Sequence, residues 1–319
     1  MEIQILSKSD ELLQCFLAGR NQQTLEAYRT DLEDFKVHLG ESELTKAVSK
    51  FIALQPGEAN SSVLRYRNTL IERGLQSSTI NRRLAAIRSL VKMGRMIGVV
   101  TWAIEIPNLK VETYRDTKGP GRIAIQEMLS LLERDPSPKH VRDYAILRLL
   151  YDLGLRASEV TKLDVTDVSL KESSVSIVGK GKTQKIKLSL PIATSEAVSA
   201  WVSIRDPNEP ALFYNFDRGG VQSRLTRVGL YQVIRRLGED VGVKTRPHGI
   251  RHTSITQAIK IAQVNGITLP EVKQFSRHSS LQTLQIYADR ERNVQGKLAG
   301  WVSDAVSSVE RKSNEKEEN

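Results

Sequence analysis

The sequence has very little cysteine and no long hydrophobic run. Cys15 is the only cysteine among 319 residues, which excludes a disulfide framework and a cysteine-rich zinc module and favours a reducing compartment. The N-terminal residues MEIQILSKSD lack the basic-then-apolar layout of a signal peptide, and no apolar run reaches the length of a membrane span. We therefore expect a cytoplasmic protein without a membrane partner.

The chain also lacks the acidic residues that would balance its lysines and arginines. It carries 47 lysines and arginines against 37 acids, a net charge of +10 and a pI near 9.6. A basic balance favours a polyanionic partner such as nucleic acid. The excess is concentrated in residues 60–100, where eight basic side chains accompany one acid, Glu72.

One predicted helix in this basic segment has an apolar face and a basic face. Ile80, Leu84 and Ile87 recur at helical spacing, which directs the intervening arginines to other faces. Because acids for i, i+4 pairing are nearly absent here, we predict a phosphate-contacting surface; a merely solvated helix face is the alternative. The arginines predicted to bind nucleic acid are Arg65, Arg67, Arg82, Arg83 and Arg88.

The length of the chain and its periodicity predict two domains. A length of 319 residues exceeds what one core usually holds. We predict a helical domain over 10–105, a linker over 106–122, a second domain over 123–302 and a polar tail over 303–319. The four helices expected in the first domain are Asn21–Leu39, Leu44–Leu54, Ser62–Arg73 and Ser78–Ile97.

The second domain is predicted to be mostly helical with a small antiparallel sheet. The stretch SSVSIVGKGKTQKIKLSLP has two alternating runs around a Gly-Lys-Gly turn, as in a β-hairpin. Helical runs precede and follow it without the strand–helix alternation of a parallel sheet. The fold class is therefore mainly α. The predicted helices are Ile125–Glu133, Val141–Tyr151, Thr194–Ile204, Thr226–Val241, His248–Ala262, Leu269–Gln274 and Ser280–Ala288.

The stretch PHGIRHTSI contains two cationic candidates in the first turns of a predicted helix. Pro247 suits a helix start, where the helix dipole disfavours the positive charge of His248 and Arg251. A bound phosphate would offset this cost, because free backbone N–H groups and a guanidinium both bind anions. The alternative is a histidine bound to a local carbonyl and an arginine paired with a distant acid.

The histidines also raise the question of a metal site. His248 and His252 are four residues apart, and His278 would complete a zinc triad. However, Gly249 stands where a zinc hydrolase helix carries its glutamate, and Arg251 would sit beside a dication. We therefore expect no metal.

Three further motifs bring these residues into one pattern. They are GLRASEV at 154–160, GKG at 179–181, and SRHSSLQTLQIY, which ends in a tyrosine nine residues after its histidine. Together with PHGIRH, in this order, they resemble the tyrosine recombinase (phage integrase) family over nearly the whole chain. One departure is Phe275-Ser276-Arg277, where many members have Leu-Gly before the histidine. The resemblance implies a catalytic set of Arg156, Lys180, His248, Arg251, His278 and Tyr287.

The resemblance implies a metal-free and cofactor-free attack of Tyr287 on a DNA phosphodiester. Arg156 and Arg251 would clamp the phosphate, and Lys180 would protonate the leaving 5′-hydroxyl, with Lys182 as the alternative. His248 would help to accept the tyrosine proton and His278 would bind the phosphate, although these two roles could be mixed.

The resemblance also implies a biological setting. The partner is double-stranded DNA with inverted-repeat core sites, on which four copies form a homotetramer in the nucleoid. A simple Xer-like or transposon-resolving recombinase fits better than one with an arm-type DNA-binding module. A type IB topoisomerase and a catalytically idle DNA-binding regulator of the same fold are the alternatives.

Overall fold

The computed structural model divides the chain into two compact units, Met1–Arg115 and Asp116–Asn319. It describes residues 2–18, 22–111, 119–179, 184–216, 223–278, 280–292, 296 and 298–305. These residues are mainly helical and contain one small antiparallel sheet, which confirms the predicted fold class. None of the helices they form is both long enough and apolar enough to cross a membrane.

The first unit contains the four predicted helices and one that was not predicted. The additional helix, α1, buries Leu12, Leu13 and Phe16 in the core of the unit. These core residues come near the C-terminal end of the helix, which is why the N-terminal residues were not recognised as helical. The helices are α1 (Glu2–Leu17), α2 (Gln22–His38), α3 (Leu44–Ile52), α4 (Pro56–Glu72) and α5 (Ser77–Met96).

Helix α4 begins six residues before the predicted start at Ser62. The stretch QPGEANS before the predicted start contains proline and glycine, which usually mark a loop. Pro56 occupies the first helical turn, where its missing N–H is not needed, and the Glu58 carboxylate accepts a hydrogen bond from the Gln55 backbone N–H at 3.1 Å. These interactions stabilise the helix start.

The first residues of the predicted linker lie against the first unit. Ile106 is buried in its core, and Asn81 of α5 exchanges two hydrogen bonds of 2.8 Å with the backbone of Leu109. Part of the segment without periodicity is thus fixed by an asparagine side chain, a contact that hydrophobic periodicity does not reveal. Residues 112–118 lie outside the described part of the chain.

The second unit packs its helices around a core that includes the sheet. Trp201 is fully buried, and its indole N–H donates to the Leu212 carbonyl at 2.7 Å. All helices predicted there are present, together with the short α8. They are α6 (Gly121–Glu133), α7 (Pro138–Asp152), α8 (Ala157–Val160), α9 (Ile192–Ile204), α10 (Arg227–Asp240), α11 (Pro247–Val264), α12 (Leu269–Ser276) and α13 (Leu281–Arg292), followed by helical residues 298–305.

The sheet has the order β1-β2-β3 and is antiparallel throughout. Its strands are β1 (Val168–Ser169), β2 (Ser174–Val178) and β3 (Lys185–Ser189), with Ile177 opposite Ile186. Val175 and Ile177 alternate with less buried residues and pack into the core. The turn between β2 and β3, residues 180–183, lies outside the described residues.

Candidate active site

Arg251 of α11 lies at the centre of the candidate site. Only 2% of the residue is exposed, and its guanidinium donates from Nη1 to the Gly154 carbonyl and from Nη2 to the Ser276 carbonyl. Gly154 lies just after the end of α7, and Ser276 is the last residue of α12. At such helix C-termini, the helix dipole and carbonyls without an intrahelical partner favour a cation. Burial and the nearby Arg156 and Arg277 lower the pKa of Arg251 to about 9, so it remains charged at neutral pH.

Arg156 lies on the turn that links α7 to α8. Its backbone N–H and its Nη1 both donate to the Glu159 carboxylate at 2.8 Å, and its Nη2 donates to the Arg277 carbonyl at 3.1 Å. The turn depends on Gly154, whose φ of +55° is left-handed and whose missing Cβ would lie 3.2 Å from the Ser254 hydroxyl. The glycine therefore allows the tight turn that brings Arg156 close to Arg251.

His278 follows α12 and is half-buried beside these arginines. Burial lowers the pKa of its imidazole to about 4, with further contributions from Arg251, Arg156 and His248. The imidazole is therefore neutral at physiological pH. Its Nδ1 is buried and has no hydrogen-bond partner among the residues that the structure describes.

Tyr287 is half-buried on α13, and its neighbours Leu284 and Ala288 are buried against α11 and α12. Its ring centroid lies 4.5 Å from that of His252 and 6.0 Å from that of His278. It also lies close enough to Arg251 to influence the arginine's pKa. The structure thus brings together five of the six predicted catalytic residues, namely Arg156, His248, Arg251, His278 and Tyr287.

The sixth predicted catalytic residue, Lys180, and its alternative, Lys182, lie in the turn outside the described residues. The two lysines of β3 are engaged by acids: Lys185 by Asp167, and Lys187 by Glu172 at 2.6 Å. The hydrogen bond from Lys185 to Asp167 raises the pKa of this lysine. Both β3 lysines are therefore held by carboxylates within the unit.

No group of three or more His, Cys, Asp or Glu side chains within the described ranges could hold a metal ion. The expectation that the protein holds no metal stays a prediction.

Sequence reasoning missed three residues of the site. His252 was considered only as a metal ligand, yet its ring is nearer to Tyr287 than that of His278. Glu159 binds Arg156 and Arg277, and its place in GLRASEV was its only sequence signal. Arg277 was noted only as a departure from Leu-Gly, since nothing in the sequence indicates where its guanidinium binds.

The arginines predicted to bind nucleic acid from α5 have partners within the first unit. Arg82 contacts Asp31 at 2.5 Å, Arg83 contacts Asp34, and Arg88 donates to the Ile106 carbonyl at 2.7 Å. The acids come from α2, so the scarcity of acids within residues 60–100 was a poor guide to pairing. For these arginines the interpretation as a phosphate-contacting surface stays a prediction.

Arg65 and Arg67 of α4 differ from the α5 arginines. Arg65 is exposed, and within the described part of the chain no hydrogen bond or ion pair of its guanidinium is found. Arg67 is half-buried, and its Nε has no partner among the described residues. Because Arg65 is exposed and the Nε of Arg67 is buried, Arg65 is the better placed of the two to bind an external anion.

We predict that Asp34→Ala destabilises the first unit by about 3 kcal/mol, because three donors then lose their acceptor. Asp34 accepts hydrogen bonds from Tyr66 at 2.7 Å and from Arg73 at 2.9 Å and 3.0 Å, besides Arg83. Burial alone would raise the pKa of Asp34, but hydrogen bonds from Arg73 and Tyr66 hold it below the ordinary 3.8. The stabilisation is therefore present above about pH 4 and is lost as the pH falls through the lowered pKa.

Chemical denaturation at pH 7 measures this free energy of unfolding. The matched control is Glu33→Ala, on the same helix, which removes only a half-exposed pair with Lys36 and should cost about 1 kcal/mol or less. Equal stabilities of the two variants would contradict the prediction.

Two family models match the chain. The phage integrase family matches residues 122–293, and the phage integrase N-terminal SAM-like domain matches residues 13–94. Each model covers most of one structural unit. The matches confirm the family resemblance that the sequence motifs indicated.

Relatives and solved structures agree with these matches. A tyrosine recombinase of Synechococcus elongatus is 36% identical over 294 residues, covering 90% of this chain and 91% of that protein. The tyrosine recombinase XerC of Roseiflexus castenholzii is 31% identical over 279 residues, covering 83% and 82%. The fold is similar to that of the XerH site-specific recombinase bound to a palindromic difH substrate, with a TM-score of 0.62, 17% identity and coverage of 88% and 80%.

Proposed function

The chain belongs to the phage integrase family of tyrosine recombinases, enzymes of site-specific DNA recombination, and from this premise we propose that it cleaves and rejoins duplex DNA through a 3′-phosphotyrosyl bond on Tyr287. The observation that carries the proposal is the proximity of Tyr287 to His252, His278 and Arg251 in one half-buried site.

Arg156 and Arg251 clamp the scissile phosphate in this proposal. A guanidinium can contact two phosphate oxygens at once, and the charge that develops on the nonbridging oxygens is stabilised by donors already fixed in place. Arg251 is fixed by two carbonyls and Arg156 by Glu159 and the Arg277 carbonyl. Both arginines therefore need little reorganisation when DNA binds.

The Tyr287 oxygen attacks phosphorus, and its proton passes to an imidazole. His252 is the nearer ring and His248 is the second candidate. The P–O5′ bond breaks, and the leaving oxygen takes a proton from the hairpin lysine Lys180, because Lys185 and Lys187 are engaged by carboxylates. His278, which is neutral, donates a hydrogen bond from its ring N–H to a nonbridging phosphate oxygen. Attack by another strand's 5′-hydroxyl reverses these steps and exchanges strands.

Trapping on a nicked suicide substrate tests the proposed cleavage. The short strand after the scissile phosphate diffuses away, so the covalent adduct accumulates and migrates slowly in a denaturing gel. The trap is run with and without EDTA to test whether a metal ion is needed, because in this proposal the arginines provide the positive charge at the phosphate. Absence of an adduct on a substrate that the protein binds would contradict the proposal.

The substrate is duplex DNA with inverted repeats, each bound by one copy through both units. Support comes from the basic excess of residues 60–100, from the exposed Arg65, and from the palindromic substrate bound by XerH. Inverted repeats suit a pair of identical subunits related by two-fold symmetry. The DNA substrate implies a place in the nucleoid.

We predict that Arg65→Gln reduces the slope of log K against log[salt] by about 0.9, the value for one lost phosphate contact. Fluorescence anisotropy of labelled duplex between low and moderate salt measures this slope. The control, Lys46→Gln, lies in the same unit and removes an exposed lysine already paired with Glu43 at 2.9 Å. An unchanged slope in Arg65→Gln would remove this arginine from the interface.

Four copies form the active assembly in this proposal. The helical residues 298–305 expose three apolar side chains, Leu298, Trp301 and Val302, with 67% of Trp301 accessible. A mainly apolar cavity of about 510 Å³ lies between α7, α11 and α12, with Tyr151, Ile261 and Val272 in its wall. We propose that this cavity receives the apolar helix of a second copy.

We predict that Trp301→Ala shifts the protein–DNA complex from four protomers to monomers and dimers, because burying an indole contributes several kcal/mol at an interface. Mass photometry on a synapsed pair of sites measures the stoichiometry. The control is Trp201→Phe, since Trp201 is fully buried within the unit and should affect stability alone. A tetramer unchanged by Trp301→Ala would contradict this assignment.

A further inference from the structure

Arg277 occupies a backbone position that suits glycine. It caps α12 with φ of +53° and ψ of +34°, in the left-handed region. Only one other non-glycine residue in the described part of the chain, Ser173, has a positive φ. A left-handed conformation costs an L-residue about 1 kcal/mol or more, so the contacts of the side chain must offset it.

The guanidinium of Arg277 makes those contacts with its side chain only 11% exposed. It donates to the carbonyls of Leu153 at 3.1 Å, Phe275 at 3.0 Å and Gly154 at 3.0 Å, and to Glu159 Oε2 at 3.3 Å. The side chain therefore ties the turn that leads into Arg156 to the turn that carries His278.

Shared acceptors join Arg277 to both arginines of the proposed phosphate clamp. The Gly154 carbonyl accepts from Arg251 and Arg277, and the Glu159 carboxylate accepts from Arg156 and Arg277. The guanidiniums of Arg156, Arg251 and Arg277 carry three positive charges and the Glu159 carboxylate carries one negative charge, which leaves a net fixed charge of +2. A phosphodiester carries one negative charge and a pentacoordinate phosphorane carries about two, so +2 matches the phosphorane.

We propose that Arg277 is a positioning residue that locks the Arg156 turn to the His278 turn and supplies the third fixed positive charge, which favours the phosphorane over the bound diester. This inference rests on the proposed function, since it concerns the rate of the same cleavage. Arg277 does not touch the substrate, because each of its two Nη groups already has two protein acceptors, whereas each Nη group of Arg251 has one among the described residues.

The charge of Arg277 also acts on His278, the next residue. The charged and titratable groups that face His278 are Arg251, Arg156, His248 and Arg277, with the Tyr287 ring 6.0 Å away. Burial is the main cause of its low pKa, and each arginine lowers it further. Removing the charge of Arg277 should therefore raise the pKa of His278 even when the imidazole stays buried.

Three variants separate charge from geometry. Arg277→Gly removes the charge and relieves the left-handed backbone, Arg277→Gln removes the charge and keeps a hydrogen-bonding side chain, and Arg277→Lys keeps the charge. For each, the Kd for duplex DNA, the single-turnover rate of adduct formation from pH 5 to 9 and the pKa of His278 by NMR titration are measured. Thermal unfolding checks the fold.

The neutral variants should cleave about 10- to 100-fold more slowly while the Kd changes little, and Arg277→Lys should regain part of the rate. The pKa of His278 should rise from about 4 in the glycine and glutamine variants and stay near its original value in the lysine variant. The titration needs no DNA, so it tests Arg277 even if the wild-type protein forms no adduct, an outcome that would contradict only the proposed function.

Several results would overturn the inference. One is an Arg277→Gly variant that forms the adduct at the wild-type rate at every pH. Another is a loss of affinity for duplex DNA as large as the loss of cleavage rate. An unchanged pKa of His278 in the neutral variants would also contradict it. If both neutral variants unfold and the lysine variant is fully active, Arg277 only stabilises the fold and does not act on the cleavage rate.

Discussion

Tyr287→Phe is expected to abolish the covalent protein–DNA adduct and to leave the affinity for duplex DNA almost unchanged. The substitution deletes the oxygen that would attack phosphorus and keeps the ring that lies beside His252 and His278. Enzymes that lose their nucleophile lose about 10⁶-fold in rate, so no adduct should be detectable. Because Tyr287 is only half-buried, the loss of its hydroxyl should have little effect on folding.

The measurement is the slow-migrating band formed with a nicked substrate labelled on the strand that becomes linked through its 3′ phosphate. Tyr231→Phe is the matched control, since Tyr231 is an exposed tyrosine of the same unit at 41% accessibility. Peptide mapping of the wild-type adduct identifies the linked residue. An adduct that persists in Tyr287→Phe, or that maps to Tyr231, would place the nucleophile elsewhere and would contradict the resemblance of SRHSSLQTLQIY to the family motif.

The helical fold could be predicted from the sequence because its helices have periodic apolar faces. Leu32 and Phe35 of α2, and Leu84 and Ile87 of α5, follow that period and are buried in one core. Helix α1 was missed because its buried residues, Leu12 and Phe16, come near its end, after a stretch with weak periodicity. Boundaries were least predictable where backbone contacts determine them, as at the start of α4.

The residues of the site could be predicted by type and order, but their interactions could not. The sequence places Arg156, Arg251 and Arg277 more than twenty residues apart from one another and does not indicate which carbonyls their guanidiniums bind. The ends of α7 and α12 provide those carbonyls only after the chain has folded. The pairing of Arg82 with Asp31 was missed for the same reason, because the acid lies fifty-one residues away on another helix.

The second large effect is expected for Arg251→Lys, which should slow adduct formation by about 10³-fold or more. Arginines that stabilise the charge of a transferring phosphoryl group contribute about 10³- to 10⁵-fold to the rate. A lysine keeps the charge but cannot bind two carbonyls and the phosphate with one planar fork, so it cannot hold the phosphate in the same position. Single-turnover trapping on the nicked substrate measures the rate, and anisotropy measures DNA binding.

Loss of stability could also reduce the rate of Arg251→Lys, and Arg205→Lys is the control for that effect. Arg205 is also a buried arginine of the second unit, 6% exposed, and it donates to the carbonyls of Glu209 and Ala211. Because each substitution removes donors from two carbonyls that are buried or partly buried, both should lower the free energy of unfolding by about 2 kcal/mol. Only Arg251→Lys should lose cleavage at temperatures where both proteins are folded. Equal cleavage rates in the two folded variants would mean that Arg251 stabilises the turns after α7 and α12 without acting on the phosphate, and the clamp would then rest on Arg156 alone.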